Sequence, residues 1–330
     1  MTQALPVEIC GTGSYLPAEV VSNQYYIDRL DTSEEWIVSR TGIRQRHRAA
    51  PEEATSDLAI NAARLALDDA GLRASDLDAI ICATATGDHP FPATATLIQA
   101  GLGAEGVPAF DLSAACAGFI YGAATAAGFL GSGVYERVLV VGAETLTRYT
   151  DPQDRGTVIL LGDAAGAAVF QRSTSGEHSI LHCALGCDGT RAKHIWIPSG
   201  GSRLPVSEQT LAERLQYMRM RGREVYKFAV VKMQRMIEDA LEATGLAVGD
   251  IKLFIPHQSN LRIIDSVRDR LGLPEEKIAV NIDRCGNTSA ASVPMALDEG
   301  RRSGLLQPGD IVVMAAIGAG LAWGSMVIKL

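Results

Sequence analysis

Residues 66–81 read ALDDAGLRASDLDAII, and residues 240–255 read ALEATGLAVGDIKLFI. A shift of 174 lays the first stretch on the second. Ala66, Leu67, Gly71, Leu72, Asp76 and Ile81 then fall on Ala240, Leu241, Gly245, Leu246, Asp250 and Ile255, with Asp68/Glu242 and Leu77/Ile251 alike in kind. Each copy reads as the end of a helix, a glycine stop and an apolar run entering a strand. Chance reuse of a common pattern would explain one such match. The same shift also carries Cys116 to position 290, inside GNTSAAS (286–292), the other unusual run of small residues. Together the two observations favour duplication, with similar halves at roughly 1–176 and 177–330.

Outward from these stretches, β-like runs alternate with helical patterns, which is α/β layering. Strands are expected at 79–85, 137–144, 158–170, 252–257 and 310–318, and helices at 56–71, 113–130, 222–244 and 259–271. Residues 182–224, rich in Gly, Arg, Ser and Pro, read as an inserted cap where binding residues tend to lie. No flexible linker separates the halves, so they are expected to pack tightly. Two uncharged stretches, 112–135 and 311–328, reach the length of a membrane span. The first is mostly Ala, Gly and Ser and reads as a helix buried on all faces. Glycines 318, 320 and 324 divide the second into a buried hairpin.

The chain has 330 residues, 47% hydrophobic and 21% charged, enough for a large core and unlike a disordered chain. A net charge of −8 argues against general nucleic-acid binding. Six irregularly spaced cysteines make no disulfide framework, and MTQALPVEIC carries no signal-peptide pattern. A cytoplasmic protein is expected.

Cys116 stands in DLSAACAGFIYG, after a β-like run and at the start of a long uncharged helix. Free N–H groups and the helix dipole there stabilise a thiolate. A lone cysteine in such a helix is more often a small core residue, so its neighbours decide. His257, in IPHQSN, ends a second-half strand, where side chains of α/β folds face the ligand crevice. Asn287 lies in RCGNTSAAS, beside a glycine that permits close backbone approach. Singly, these are a structural histidine and a turn. The duplicated geometry brings Cys116 from one half to His257 and Asn287 from the other, a set suited to nucleophilic acyl chemistry.

DLSAACAGF, PHQSNLRII and GNTSAASVPMALDEG together resemble the thiolase-fold condensing enzymes, most closely the β-ketoacyl-acyl-carrier-protein synthase III family. WIVSRTGIRQRH (36–47), FPATAT (91–96), DPQDRGT (151–157), LGDAAGAAV (161–169) and REVYKFAV (223–230) extend the likeness over nearly the whole chain. The resemblance implies an α/β thiolase-like fold, its two halves packed as a five-layered αβαβα structure. It implies an acyltransferase in which Cys116 takes an acyl group from acyl-CoA. Malonyl-acyl-carrier protein then loses carbon dioxide, and its enolate, held by His257 and Asn287, attacks the acyl-enzyme. The product is a β-ketoacyl carrier protein that initiates fatty acid synthesis. An alternative on the same fold is a priming or tailoring acyltransferase of secondary metabolism. A third is a non-enzymatic carrier-binding partner, against which Cys116 argues.

Further roles follow from the resemblance. The backbone N–H groups of Cys116 and Ala319 form the oxyanion hole, although Ala319 stands where the family commonly has glycine, and Ile317 where many relatives have phenylalanine. Trp36 and Arg155 sandwich the CoA adenine, Arg40 meets phosphate and Asn260 meets pantetheine. Lys227 and Arg262 meet the acidic carrier protein. Phe91 closes the acyl pocket of a partner copy, which implies a homodimer. CoA enters as substrate, with no cofactor, metal or membrane. GLGAEG (101–106) matches a dinucleotide loop only literally, because it ends a helix and precedes a strand. His178, His182, Cys183, Cys187 and His194 have metal-like spacing but lack a second cysteine pair.

Overall fold

The computed structural model describes residues 4–174 and 178–330, so the expected boundary at 176/177 lies outside the described residues. One sheet holds β1 (Val7–Tyr15), β2 (Ala79–Ala83), β3 (Ala109–Leu112), β4 (Arg137–Thr145) and β5 (Asp163–Arg172) in the order β1-β5-β4-β2-β3. The other holds β6 (Ser179–Cys187), β7 (Ile251–Pro256), β8 (Ile311–Gly318) and β9 (Ala322–Lys329) in the order β7-β8-β9-β6. Directions repeat as well as order. β2 runs parallel to β4, which pairs antiparallel with β5 and β5 with β1. Likewise β7 runs parallel to β8, which pairs antiparallel with β9 and β9 with β6. The fifth strand, β3, has only a trace in the second sheet. Ile80 pairs in parallel with Ala109, and Phe254, 174 residues on, makes a single parallel bridge with Ile278.

The helices that complete the layers include α1 (Glu34–Thr41), α2 (Thr55–Ala70), α3 (Gly118–Gly131), α4 (Gly222–Thr244), α5 (Leu261–Leu271) and α6 (Ser292–Arg302). Helix α2 covers the outer face of the first sheet, α4 that of the second, with α5 packed on α4. Helices α3 and α6 touch both sheets and form the middle layer. The result is the five-layered αβαβα arrangement of a thiolase-like fold.

Strand alternation explains how one sheet serves two cores. Ile80, Leu139 and Val141 face α2, while Ile81 and Val140 face inward to Phe119 and Phe170. In the second sheet Leu253, Ile255 and Met314 join that central core, and Phe254, Val313 and Ala315 face Met233, Ile237 and Ile264 on the other side. Being buried on both faces, these strands read as continuous apolar runs. The same demand makes α3 apolar all round, and among the described residues no helix is long and apolar enough to cross a membrane. The 311–328 stretch is the buried β8–β9 hairpin, paired from Ile311–Lys329 to Gly318–Ala322.

The repeat also holds at particular turns. Gly71 and Gly245 end α2 and α4 at φ 65° and 72°. Asp76 accepts the Arg73 N–H at 2.9 Å, and Asp250 accepts that of Ala247 at 2.7 Å. The turns Ala115–Ala117 and Ser289–Ala291 begin with Ala115 and Ser289 at φ 47° and 48°. Helices then start at Gly118 and Ser292, and strands at Arg137 and Ile311, each 174 apart.

Two expectations need correction. The apolar VIL at 158–160 is not strand: Arg155–Val158 is a helical turn capped by Asp154, and β5 starts at Asp163. The cap expected over 182–224 starts later, because 182–187 belongs to β6.

Gly142 on β4 fixes how closely the two turns meet. A Cβ there would fall 2.2 Å from the Ala290 carbonyl oxygen and 2.7 Å from its carbon. Gly142→Ala must therefore push the Ser289–Ala291 turn off the sheet, at a cost of about 3 kcal/mol or more. The expected result is a lower melting temperature together with weakened Cys116 acylation; an unchanged melting curve would show that the turn yields freely.

Candidate active site

The two turns bring the singled-out residues to one place. A cavity of about 550 Å³ is lined by Cys116 from the first turn, Asn287 just before the second, His257 just past β7, and Ile317 near the end of β8. Its mouth carries Trp36, Arg40, Arg223, Asn260 and Arg262, with Ile195 and Met220 from the irregular segment that precedes α4. Three arginines give that mouth a basic character in a chain of net charge −8.

His257 is 1% exposed. Its Nδ1 lies 2.7 Å from Ser292 Oγ, which also accepts the Gln258 N–H at 3.4 Å. Ser292 Oγ keeps both its proton and a second lone pair for Nδ1, so the contact accommodates either ring tautomer. The tautomer with its proton on Nε2, with Ser292 donating to Nδ1, is the one that offers a hydrogen bond from Nε2. Burial pushes the imidazole pKa down to about 3, so the ring is neutral at physiological pH. Ser292→Ala removes the partner that supports this tautomer, at about 1 kcal/mol. Condensation should slow by about fivefold while acylation of Cys116 stays near normal, measured by separate assays of the two half-reactions. Equal loss in both would contradict the tautomer role.

Asn287 is held by its backbone, its N–H donating to Leu160 O at 2.8 Å and its O accepting from Gly162 N at 3.0 Å. Its side-chain Oδ1 accepts the Ser289 N–H at 3.0 Å. The amide oxygen being occupied, Nδ2 is the end that offers hydrogen bonds. Gly286, at φ 67° and ψ −164°, allows the sharp turn into this position.

The cysteine departs from expectation. Cys116 keeps part of its surface open, yet it is enclosed deeply enough that burial pushes the thiol up to about 11. The Ser289 hydroxyl and the cysteine's own backbone oppose this without overcoming it. The β8–β9 turn packs directly on it: a Cβ at Gly318 would fall 2.6 Å from Cys116 N. Ala319, the next residue, does not line the cavity. Non-glycine positive φ values occur at Ala115, Arg214 and Ser289 among the described residues, so the alanine at 319 brings no left-handed strain.

The binding residues fall into three places. Trp36 lies on α1, with the Arg155 guanidinium 4.6 Å and that of Arg40 4.9 Å from its ring. Arg155 also pairs with Asp31 at 3.6 Å. Ring and guanidinium are in direct contact, so a base between them requires Arg155 to swing away. Asn260 lines the mouth, but its amide is spent within the chain. Oδ1 caps α5 through Arg262 N and Nδ2 donates to Arg40 O, both at 2.9 Å. Lys227 is on the outer face of α4 beside Phe228 and Val231, away from the cavity, whereas Arg262 is at its mouth over Tyr226. Phe91 is 85% exposed and takes no part in the cavity of its own chain. Among the described residues no three His, Cys, Asp or Glu side chains gather as metal ligands.

Ser289, Ser292 and Glu144 were not singled out from sequence. The serines read there as part of a small-residue run, and the glutamate as the end of a strand. Glu144 is fully buried and sits behind Ser289, whose hydroxyl donates to it at 3.0 Å.

Comparison with known proteins bears on this geometry. The family models for 3-oxoacyl-[acyl-carrier-protein] synthase III match residues 110–189, and its C-terminal part residues 241–330. The chain is 50% identical to the β-ketoacyl-[acyl-carrier-protein] synthase III of Caldanaerobacter subterraneus subsp. tengcongensis, covering 100% of this chain and 99% of that one. The solved 3-oxoacyl-[acyl-carrier-protein] synthase III of Aquifex aeolicus superposes with a TM-score of 0.91 at 42% identity, over 98% of this chain and 100% of that one. A priming β-ketosynthase of a polyketide biosynthetic pathway also matches, with a TM-score of 0.91 at 37% identity over 100% and 98% of the two chains. With sequence, fold and cavity in agreement along its whole length, the chain belongs to the 3-oxoacyl-[acyl-carrier-protein] synthase III family.

Proposed function

We propose that this enzyme condenses an acyl-CoA with malonyl-acyl-carrier protein through an acyl-Cys116 intermediate, the step that initiates fatty acid synthesis. The observation that carries the reading is the shared cavity, which Cys116, His257 and Asn287 line together. Cys116 sulfur attacks the thioester carbonyl and CoA departs as the thiol. The amides of Cys116 and Ala319 receive the oxyanion. Malonyl carrier protein then enters, its carbon–carbon bond to the carboxylate breaks, and carbon dioxide leaves. The electron pair becomes a thioester enolate. A neutral His257 donates to the enolate oxygen without losing its proton, and Asn287 does the same; one such donor is worth ~3–4 kcal/mol of barrier. The enolate carbon attacks the acyl carbonyl, and the Cys116 sulfur leaves. Covalent transfer of this order gives ping-pong kinetics.

The mouth and the surface around it support the partners in this scheme. Arg40, Arg155 and Trp36 suit a nucleotide and its phosphates, Asn260 lines the pantetheine route, and Lys227 with Arg262 offers charge to an acidic carrier. Phe91, so exposed in one copy, closes the acyl pocket of a second in a homodimer. Two halves, 1–176 and 177–330, then build one site, in the cytoplasm, with CoA as substrate and no prosthetic group.

The test is intact mass after acetyl-CoA, then after malonyl-acyl-carrier protein. An acetyl adduct on Cys116, discharged as a β-ketoacyl carrier protein, is expected. An adduct that malonyl carrier cannot discharge would favour the priming acyltransferase, the reading that the match to a priming β-ketosynthase supports. No adduct with any short acyl-CoA would overturn both.

A further inference from the structure

Two side chains at the meeting of the halves have no task in the reaction as described. Glu144 is fully buried at the end of β4, and Ser289, 3% exposed, opens the second turn. Ser289 Oγ donates to Glu144 Oε1 at 3.0 Å, from one half to the other. Three further groups converge on the same carboxylate. Thr86 Oγ1 donates to Oε2 at 2.5 Å, Thr84 Oγ1 at 3.3 Å, and Ala85 N reaches both oxygens at 3.2 and 3.1 Å. A buried carboxylate needs such donors, because burial without them is costly. Thr86 Oγ1 in turn accepts Thr145 N at 2.9 Å, and Thr55 Oγ1 donates to Thr86 O at 2.6 Å. The acceptor that Ser289 reaches is therefore anchored firmly in the first half.

The duplicated fold itself asks for neither side chain. Shifted by 174, Ser289 corresponds to Ala115, which takes φ 47° against 48° without a hydroxyl. By the same shift Glu144 corresponds to Gly318 at the end of β8, where a Cβ would fall 2.6 Å from Cys116 N. Strand end and turn thus meet twice in the molecule. At the meeting beside Cys116 neither matched residue has a polar side chain; at the meeting beside Asn287 both do. Ser289 also donates its backbone N–H to Asn287 Oδ1 at 3.0 Å. An N–H can only donate, so the oxygen of that amide faces Ser289, and Nδ2 is left for the cavity that Asn287 lines.

We propose that Glu144 is a positioning residue for condensation: by accepting the Ser289 hydroxyl it holds the turn whose N–H captures Asn287 Oδ1, and so presents Nδ2 to the enolate oxygen. The inference rests on the reading of Asn287 as a donor to that oxygen. Neither Glu144 nor Ser289 lines the cavity, so both act through Asn287. The need is for aim. A donor lowers the barrier most when it already points to where charge will develop. An asparagine amide turns broadly about its last side-chain bond, and a bond from a fixed N–H to Oδ1 removes that freedom. The turn reaches its positive φ unaided, as Ala115 shows; the tether to Glu144 adds a fixed separation between the N–H and the first half. Acylation precedes the enolate and has no use for this aim.

Ser289→Ala removes the tether and keeps the turn, since Ala115 holds the matching place at φ 47°. Acetyl-Cys116 formation from acetyl-CoA, followed by rapid quench and intact mass, should stay within about twofold of wild type. Discharge of the preformed acetyl-enzyme by malonyl-acyl-carrier protein should slow about five- to tenfold. Glu144→Ala should match Ser289→Ala in both assays. Glu144→Gln keeps an oxygen for the serine hydroxyl and turns its nitrogen to the Thr84 and Thr86 hydroxyls, which can accept. It should recover condensation to within about twofold of wild type. In an Asn287→Ala background, Ser289→Ala should slow condensation by less than about twofold more, because the group it aims is gone. Ser289→Ala carries the test even where Glu144→Ala lowers stability, since it cuts the same bond from the other end. A Ser289→Ala enzyme that condenses at the wild-type rate would overturn the proposal. So would one slowed equally in both half-reactions, which marks a structural role, or a loss that persists in full without Asn287. A wild-type acetyl-enzyme that malonyl carrier cannot discharge would instead overturn the condensation reading beneath it.

Discussion

Cys116→Ala is expected to fold normally and to take no acyl group from acyl-CoA, a loss of at least ~10⁴-fold in acylation. Folding should survive because the turn already carries alanine on both sides, at Ala115 and Ala117, and Ala290 fills the corresponding place in the second half. The change removes one sulfur atom from a side chain that is only partly buried, worth ~1 kcal/mol of stability. No other cysteine lines the cavity. Cys285 is 1% exposed with its thiol pushed up to about 12, and Cys82 is fully buried. Cys187 is exposed but lies at the end of β6, off the cavity. Intact mass after acetyl-CoA should show unmodified protein; an adduct would place the nucleophile elsewhere. The variant should still release carbon dioxide from malonyl-acyl-carrier protein, because His257 and Asn287 remain as donors to the enolate. Decarboxylation lost together with acylation would mean that the two donors depend on the sulfur for their placement.

Much of this site was legible before the fold was known, and the reason is chemical rarity. A cysteine at a helix start, a histidine at a strand end and an asparagine after glycine are uncommon enough to be noticed. The 174-residue repeat then supplied the means of bringing them together. Residues whose importance lies in whom they touch stayed hidden. Ser289 and Ser292 look like small filler in GNTSAAS, and Glu144 looks like the polar end of RVLVVGAE. Only contact between the two halves gives them partners. In the fold, central strands were readable because burial on both faces demands unbroken apolar runs. Strand β1 was not read, for a steric reason. Its Gly11 and Gly13 lie under α2, where a Cβ would fall 2.3 Å from Ala66 O and 2.4 Å from Ala62 O. The side chains that would have signalled alternation cannot exist there. The VIL at 158–160 misled in the opposite way: Ile159 and Leu160 are buried by neighbours from other segments, and apolar burial alone does not make a strand.

Asn287→Ala is expected to separate the two half-reactions. Acylation should stay near normal, since the backbone bonds of residue 287 to Leu160 and Gly162 do not need the side chain. Condensation should fall ~10²–10³-fold, the loss of one donor to the enolate oxygen, or ~3–4 kcal/mol. The side chain has a second task, however, because its Oδ1 also accepts the Ser289 N–H. Loss of that bond, ~1 kcal/mol, could by itself disturb the turn behind Cys116. Asn287→Asp distinguishes the tasks. An aspartate keeps an oxygen for Ser289 N but replaces the Nδ2 donor with negative charge where the enolate oxygen gathers its own. If the donor matters, Asp should condense no faster than Ala, and more slowly as repulsion adds to the lost bond. If only the turn matters, Asp should restore what Ala loses. Acetyl adduct formation and β-ketoacyl product, measured separately for both variants, decide it. Acylation abolished in Asn287→Ala would contradict the donor role, because the enolate does not exist until the acyl group is already on the enzyme.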